Sequence, residues 1–473
     1  MNELNNNVSF FMISNLGGGG SDKYREISYL DLNENTNLLF NYFYLNQPKY
    51  SDSPAFARTW LNRLDEFTDF KSFIKFTRTS MIEKGYISSE HTEADYDNTE
   101  VAYLLDSGAA NIVNNIFKNL DYETQKNKFL EQYKQVLNDY YDFGDRFKFD
   151  IIIGLDLGGK YTFKGAERTN ENIQNNNQLI SNDLEEVFVF LIEETIQYLK
   201  SKPNYHPKVY FPLMGRTPEE YMKFASILYE KEIEYDFKFD GIALGGIASG
   251  KALSKEDWDI RPYEGRISTL CRGTGISRDE VINSIISSYA ARIANKFFSD
   301  RPIHALGAGG KFNILPLAFS NITSFDTQTP ARRAYDGSGT NANDVFNHSA
   351  KGSFAKYLVG LLNEDYNIIN RNFKYVKIPT LDNEILCNCY CCTHFSFDDL
   401  KSLYSNAGND KEDYYYSKQL INHHAIYQHE LLCNLYNLST KNEILLDYFN
   451  DFVNFKNLLK FVIFEFQYEK ARL

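Results

Sequence analysis

The sequence predicts an α/β fold: a (β/α)8 TIM barrel with insertions and a C-terminal helical sub-domain. Three observations predict it. Short apolar runs stop at Asp or Gly, amphipathic segments separate them, and a cysteine cluster follows the last run. The runs are 8–15 (VSFFMISN), 101–108 (VAYLLDSG), 149–159 (FDIIIGLDLGG), 208–215 (KVYFPLMG), 239–246 (FDGIALGG), 302–310 (PIHALGAGG) and 322–328 (ITSFDTQ). Each is too short for a typical helix and lacks strict alternation, as expected of a strand buried on both faces. Asp183–Lys200, Pro218–Lys231 and Arg278–Phe298 carry Leu, Ile, Val and Phe at helical spacing. Strand–helix alternation implies a parallel sheet. Seven or eight such units favour a closed barrel over an open doubly wound sheet. No internal repeat is evident.

The 473 residues are 43% hydrophobic and 24% charged, an ordinary globular composition that one barrel with insertions can absorb. The net charge of −13 argues against a protein that coats nucleic acid non-specifically, while leaving room for a local basic groove. The start, MNELNNNVSF, is unlike a secretory signal, and no apolar stretch is long enough to span a bilayer. A cytoplasmic protein without a membrane partner is expected, with its thiols reduced. The barrel domain is expected over 1–380, with insertions near 160–182 (the polar NENIQNNNQ run) and 251–300 (Arg261, Arg266, Arg272 and Arg278). The cysteine region spans 381–440. A C-terminal helix over 441–473, with Leu446, Phe449, Val453, Leu459 and Val462, is expected to pack on the barrel or on a partner subunit.

In such a barrel, functional residues sit where strands end and loops begin. Those positions hold Asp106, Asp156, Gly245, Gly246, Gly307 and Asp326. Each residue alone would equally suit a helix cap or a turn.

The stretch ILCNCYCCTH (385–394) holds four of the six cysteines. Cys387, Cys389 and Cys392 form C-x-C-x-x-C, and His423 and His424 follow about thirty residues later. Three thiolates and one imidazole complete a tetrahedral Zn2+ shell, closed and therefore structural. Its binding energy would be folding energy. Cys391 is a spare ligand, and His394 lies too near Cys392 to close the shell without strain. The alternative is a buried or reactive cysteine cluster.

Taken together, these features resemble the tRNA-guanine transglycosylase (queuine tRNA-ribosyltransferase) superfamily, from about Val101 to Tyr427. LLDSG (104–108) is similar to its DSG segment, and GLDLG (154–158) to the strand whose Asp reads the guanine edge. FDGIALGGIASG (239–250) resembles its glycine loop, HALGAGG (304–310) its LMGVG segment, and SFDTQTPARRAYDG (324–337) its nucleophile block. The resemblance implies Asp326 as nucleophile, Asp106 as general acid/base and Asp156 as base reader. Gly245, Gly246 and Ile247 would line the pocket, with Gly307 beneath. Arg332, and with it Arg333, would contact phosphate. The implied zinc ligands are Cys387, Cys389, Cys392 and His423, chosen over His424 because Tyr427 then falls where the family often has an aromatic.

The chemistry holds without the likeness. Breaking a purine N-glycosidic bond builds positive charge on the sugar, which a carboxylate can trap covalently. A second carboxyl must carry the proton of the leaving and incoming bases. A third can accept from N1–H and the 2-amino group together, and bare glycines let backbone approach the base.

The departures are informative. The family's DSGGFQ is DSGAAN here (106–111), so Ala110 stands where a Phe stacks near the base. IQQG becomes PLMG (212–215), and Lys251 stands where a Glu follows the glycine loop. A lysine disfavours a cationic incoming base by like-charge cost, so a neutral one such as 7-cyano-7-deazaguanine is expected. The altered pocket most resembles the family's DNA-modifying branch, which exchanges guanine in DNA for a 7-deazaguanine. Two alternatives stay open: exchange on tRNA, or a non-catalytic partner subunit of such an enzyme. A homodimer or accessory proteins are possible partners under any of these.

Overall fold

A computed structural model describes residues 9–14, 37–46, 61, 63–83, 101–109, 111–112, 122–156, 181–215, 217–247, 263–274, 277–308, 316–317, 320–327, 457 and 460–461. The chain divides into two compact units. One comprises Phe11–Ile260 with Tyr289–Leu306; the other comprises Met1–Phe10, Arg261–Ser288 and Gly307–Leu473.

The first unit is built on strands β1 (Ser9–Ser14, from Phe11 on), β2 (Asn37–Asn41), β3 (Tyr103–Asp106), β4 (Ile151–Ile153), β5 (Lys208–Leu213), β6 (Gly241–Leu244) and β7 (Ile303–Ala305). Each pairs in parallel with the next in chain order. Its helices are α1 (Tyr42–Leu45), α2 (Phe70–Glu83), α3 (Tyr122–Arg146), α4 (Ser181–Ser201) and α5 (Pro218–Glu234). Parallel neighbours need long crossovers, which α2 to α5 supply as they cover the outer face of the sheet.

The sheet curls into a nearly closed barrel. Phe11, Leu39, Leu104, Ile153, Tyr210 and Ala243, one from each of β1 to β6, form a single buried cluster. The ring of Phe11 meets that of His304 on β7 edge-on, 5.7 Å between centroids, so the first strand approaches the seventh. Residues one step along each strand face the helices instead. Phe40 packs on Phe70 (4.6 Å) and Tyr103 (5.5 Å), and Phe211 packs on Phe188 (5.8 Å) and Phe239 (4.6 Å). A Cβ on Gly144 would lie 1.9 Å from Ile152 Cδ1. Helix α3 therefore seats on β4 more closely than an alanine would allow.

Phe-Lys-Phe-Asp occurs at 147–150 and again at 237–240, each time just before a strand. Asp150 N–H donates to the Tyr103 carbonyl (3.0 Å), and its carboxylate accepts the Tyr103 N–H (2.7 Å). Asp240 repeats both bonds with Val209, at 3.1 and 2.9 Å. Each aspartate thus clamps its own strand to the preceding one where the ladder begins.

Nearby, Arg301 and Glu232 form a buried bidentate pair at 2.5 and 3.0 Å, their side chains 7% and 6% exposed. Glu232 also accepts the Phe239 N–H (2.9 Å), and Arg301 donates to the Phe239 carbonyl (3.1 Å). On the outer surface, Lys126 and Lys134 of α3 pair with Glu186 and Glu194 of α4. Glu185 and Glu193 of α4 pair in turn with Lys223 and Lys231 of α5. The common spacing of eight residues, just over two turns, keeps the three helices in step. Each exposed pair contributes only about 0–1 kcal/mol.

The second unit contains β8 (Ser324–Thr327), α6 (Glu264–Thr274) and the start of α7 (Arg278–Phe298), whose later turns belong to the first unit. Ser9 N–H donates to the Thr323 carbonyl (2.9 Å), and the hydroxyls of Ser288 and Ser320 meet at 3.1 Å. Phe461 is buried beside Tyr263, with the Arg266 guanidinium 5.9 Å from its ring. The cysteine region lies outside the described residues. Among the described residues, no helix is long and apolar enough to cross a membrane.

Candidate active site

Strand β3 ends in Asp106, opposite Asn41 at the end of β2. One carboxylate oxygen of Asp106 accepts the Asn41 side-chain amide (3.3 Å) and the Gly108 N–H (3.3 Å). Gly108 turns the chain at φ +68°, and a Cβ there would lie 2.3 Å from Asn41 Oδ1. Only glycine fits both the angle and the space. Ser107, next to Asp106, is buried, and its hydroxyl accepts the Ala109 N–H (3.1 Å). The chain therefore leaves β3 in a tight turn that holds the carboxylate against the neighbouring strand.

Asp156 follows β4 by three residues and is half-buried. It faces the glycine pair after β6: a Cβ on Gly245 would sit 3.6 Å from Asp156 Oδ2 and 3.6 Å from Met214 Cγ. A carboxylate therefore adjoins a backbone stripped of its side chain, the surface that a flat heterocycle with paired N–H donors would use. Gly245 N–H already donates to the Leu213 carbonyl (3.0 Å). Gly245 thus offers bare surface rather than a donor to a base. Gly246 has φ +79°, and a Cβ there would lie 2.5 Å from the Gly215 carbonyl oxygen. The Ile247 side chain turns inward and is buried. Asp106, Asp156 and Gly245 all lie at the C-terminal edge of one parallel sheet.

In the second unit, Asp326 is the third residue of β8 and is 3% exposed. Its Oδ1 accepts the Gly307 N–H at 3.0 Å. Gly307 itself adopts φ +64°, the left-handed region that favours glycine. The arrangement fixes one oxygen of a secluded carboxylate by a backbone donor.

Arg332, Arg333, Cys387, Cys389, Cys392 and His423 lie outside the described residues, as do Ala110 and Lys251. Among the described residues, no group of three or more His, Cys, Asp and Glu side chains could hold a metal. Among the arginines of the 251–300 segment, Arg278 forms a two-point pair with Glu264 (3.0 and 3.2 Å). Arg272 is exposed and donates back to the Ser268 carbonyl of its own helix (3.4 Å). Sequence reasoning missed Asn41. It ends β2 as Asp106 ends β3, and β2 itself carries no clear sequence signature.

No protein-family model matches the chain, and a search of curated proteins finds no match.

Proposed function

We propose that the protein is a base-exchange transglycosylase that replaces guanine in DNA with a 7-deazaguanine through a covalent aspartyl–sugar intermediate. The observation that carries this reading is the pairing of the Asp156 carboxylate with the side-chain-free backbone of Gly245, beside the Asp106 turn. In this scheme Asp326 attacks C1′ of the sugar and guanine leaves. Asp106 gives the departing base its proton; the incoming base then attacks C1′, breaking the Asp326–sugar ester, and gives its own proton to Asp106. Asp156 accepts from N1–H and the 2-amino group, which selects guanine-like rings. Asn41 donates to Asp106 and so holds its carboxylate in place between the two half-reactions. The scheme requires β8 to complete an eight-stranded (β/α)8 barrel, with Asp326 on the same rim as Asp106. A duplex substrate would present its guanine flipped out, with Arg332 and Arg333 on the phosphates.

The test is label transfer. Purified protein is incubated with labelled guanine and, separately, duplex DNA, single-stranded DNA and tRNA. Label is expected in DNA, and unlabelled 7-cyano-7-deazaguanine is expected to displace it faster than an aminomethyl analogue, because of Lys251. Label in tRNA alone would redirect the assignment to the tRNA enzymes. Absence of label from every polymer would refute the exchange reaction.

The same reading includes a structural Zn2+ held by Cys387, Cys389, Cys392 and His423, which would fold the 381–440 segment. Cys389→Ser is expected to lose bound zinc and lower the melting temperature, with activity falling as a consequence. A Cys389→Ser protein with full zinc content and unchanged melting would overturn the ligand set.

A further inference from the structure

Three buried tyrosines on α3 and α5 reach the rim of the sheet from its outer side. Tyr140 has its hydroxyl 2.8 Å from the Leu105 carbonyl and 2.6 Å from the Ile153 carbonyl. Leu105 precedes Asp106, and Ile153 ends β4. Tyr133 lies seven residues earlier, about two turns along the same face of α3, and its hydroxyl donates to the carbonyl of Asp156 itself. Tyr221 on α5 donates to the carbonyl of Gly245. All three rings are fully buried. Each hydroxyl thus ends at the backbone of a residue that carries the candidate site, or beside one.

Ordinary core tyrosines also find hydrogen-bond partners when buried. Tyr198 on α4 and Tyr205 just after it supply a contrast. Tyr205 donates to the Tyr141 carbonyl (3.1 Å) and Tyr198 to Asp142 (2.6 Å), so these two hydroxyls end on helix α3 rather than on a strand. Burial, followed by the nearby Asp156 carboxylate, pushes the Tyr133 hydroxyl well above the usual tyrosine range. Burial and then Asp106 do the same for Tyr140. Both hydroxyls therefore stay protonated and remain donors.

We propose that Tyr133, Tyr140 and Tyr221 are positioning residues. They fix the height of the Asp156, Asp106 and Gly245 backbones from the helix layer, so that base recognition depends on hydroxyls that never touch the base. This inference rests on the transglycosylase reading for its kinetic part, but not for its structural part.

The test compares Tyr133→Phe, Tyr140→Phe and Tyr221→Phe with Tyr205→Phe as control, all in the full chain. Amide hydrogen exchange is followed in peptides covering 103–109, 150–156 and 241–247. Each of the first three variants is expected to speed exchange about tenfold at its own strand end, the size expected for one lost buried hydrogen bond, and the control at none. In the label-transfer assay, Tyr133→Phe is expected to raise KM for guanine about tenfold with kcat within twofold. Tyr140→Phe is expected to lower kcat and shift its pH profile, since its strand carries Asp106. Should Tyr140→Phe fail to fold, Tyr133→Phe and Tyr221→Phe decide, their hydroxyls ending at the Asp156 and Gly245 carbonyls. Exchange at the three strand ends that matches the control overturns the proposal. So does a local rise in exchange with kinetics unchanged in an active protein. If the wild type transfers no label, the exchange pattern alone decides, and the enzymatic reading falls separately.

Discussion

Asp326→Asn is expected to reduce guanine exchange on the order of 10⁴-fold or more, the scale on which removal of a covalent nucleophile acts. The substitution is chosen for its silence elsewhere. Asparagine keeps the volume of a residue that is 3% exposed, and its carbonyl oxygen can still accept the Gly307 N–H now held at 3.0 Å. What it loses is negative charge and the capacity to form an ester. Denaturing the wild type during turnover with labelled polymer is expected to trap label on the protein, and the variant is expected to trap none. A variant that retains more than a few per cent of wild-type exchange would remove Asp326 from the mechanism. Asp106→Asn is the informative contrast, because losing a proton carrier costs less, about 10²–10⁴-fold, and leaves the nucleophile able to trap sugar.

The largest expected loss of stability is at Arg301. Its guanidinium grips both oxygens of Glu232, and neither side chain is more than 7% exposed. Arg301→Met leaves Glu232 buried with its negative charge uncompensated, at an expected cost of about 3–5 kcal/mol. The double change Arg301→Met with Glu232→Gln is expected to recover much of that, since a neutral amide can still accept the Phe239 N–H that Glu232 now accepts. Urea midpoints of the two proteins, read by circular dichroism, decide the matter. A single variant as stable as the wild type would show that the pair contributes nothing net.

The parallel α/β organisation was legible because strand ends announce themselves. Runs such as FDIIIGLD and FDGIALGG pass abruptly from β-branched or apolar residues to Gly and Asp, and β4 and β6 fall inside them. Strand β2 was not legible. NLLFN runs straight into YFYL of α1 with no turn residue between, so the nine residues read as one apolar stretch of no definite period. Helix α3 was obscured by Gly144 and by several Asn and Asp, which lower helix propensity. Its glycine is explained by the contact with Ile152 rather than by any local preference. Within the candidate site, aspartates and glycines at strand ends could be nominated from type and place. Asn41 could not, because it ends the strand that was missed. Nor could Tyr133, Tyr140 and Tyr221, since an aromatic on an amphipathic stripe reads as packing until its hydroxyl is traced to a carbonyl.

The doubled Phe-Lys-Phe-Asp segment works as a common datum for two alternate strands. Counting three residues from either aspartate reaches Ile153 or Ala243, both in the barrel's inner cluster. Counting six reaches Asp156 on one strand and Gly246 on the other. The Asp156 carboxylate and the glycine pair are thus set off from the start of their strands by similar lengths of chain. A one-residue deletion between 150 and 156 would turn the acid away from the glycines while leaving both clamps fastened.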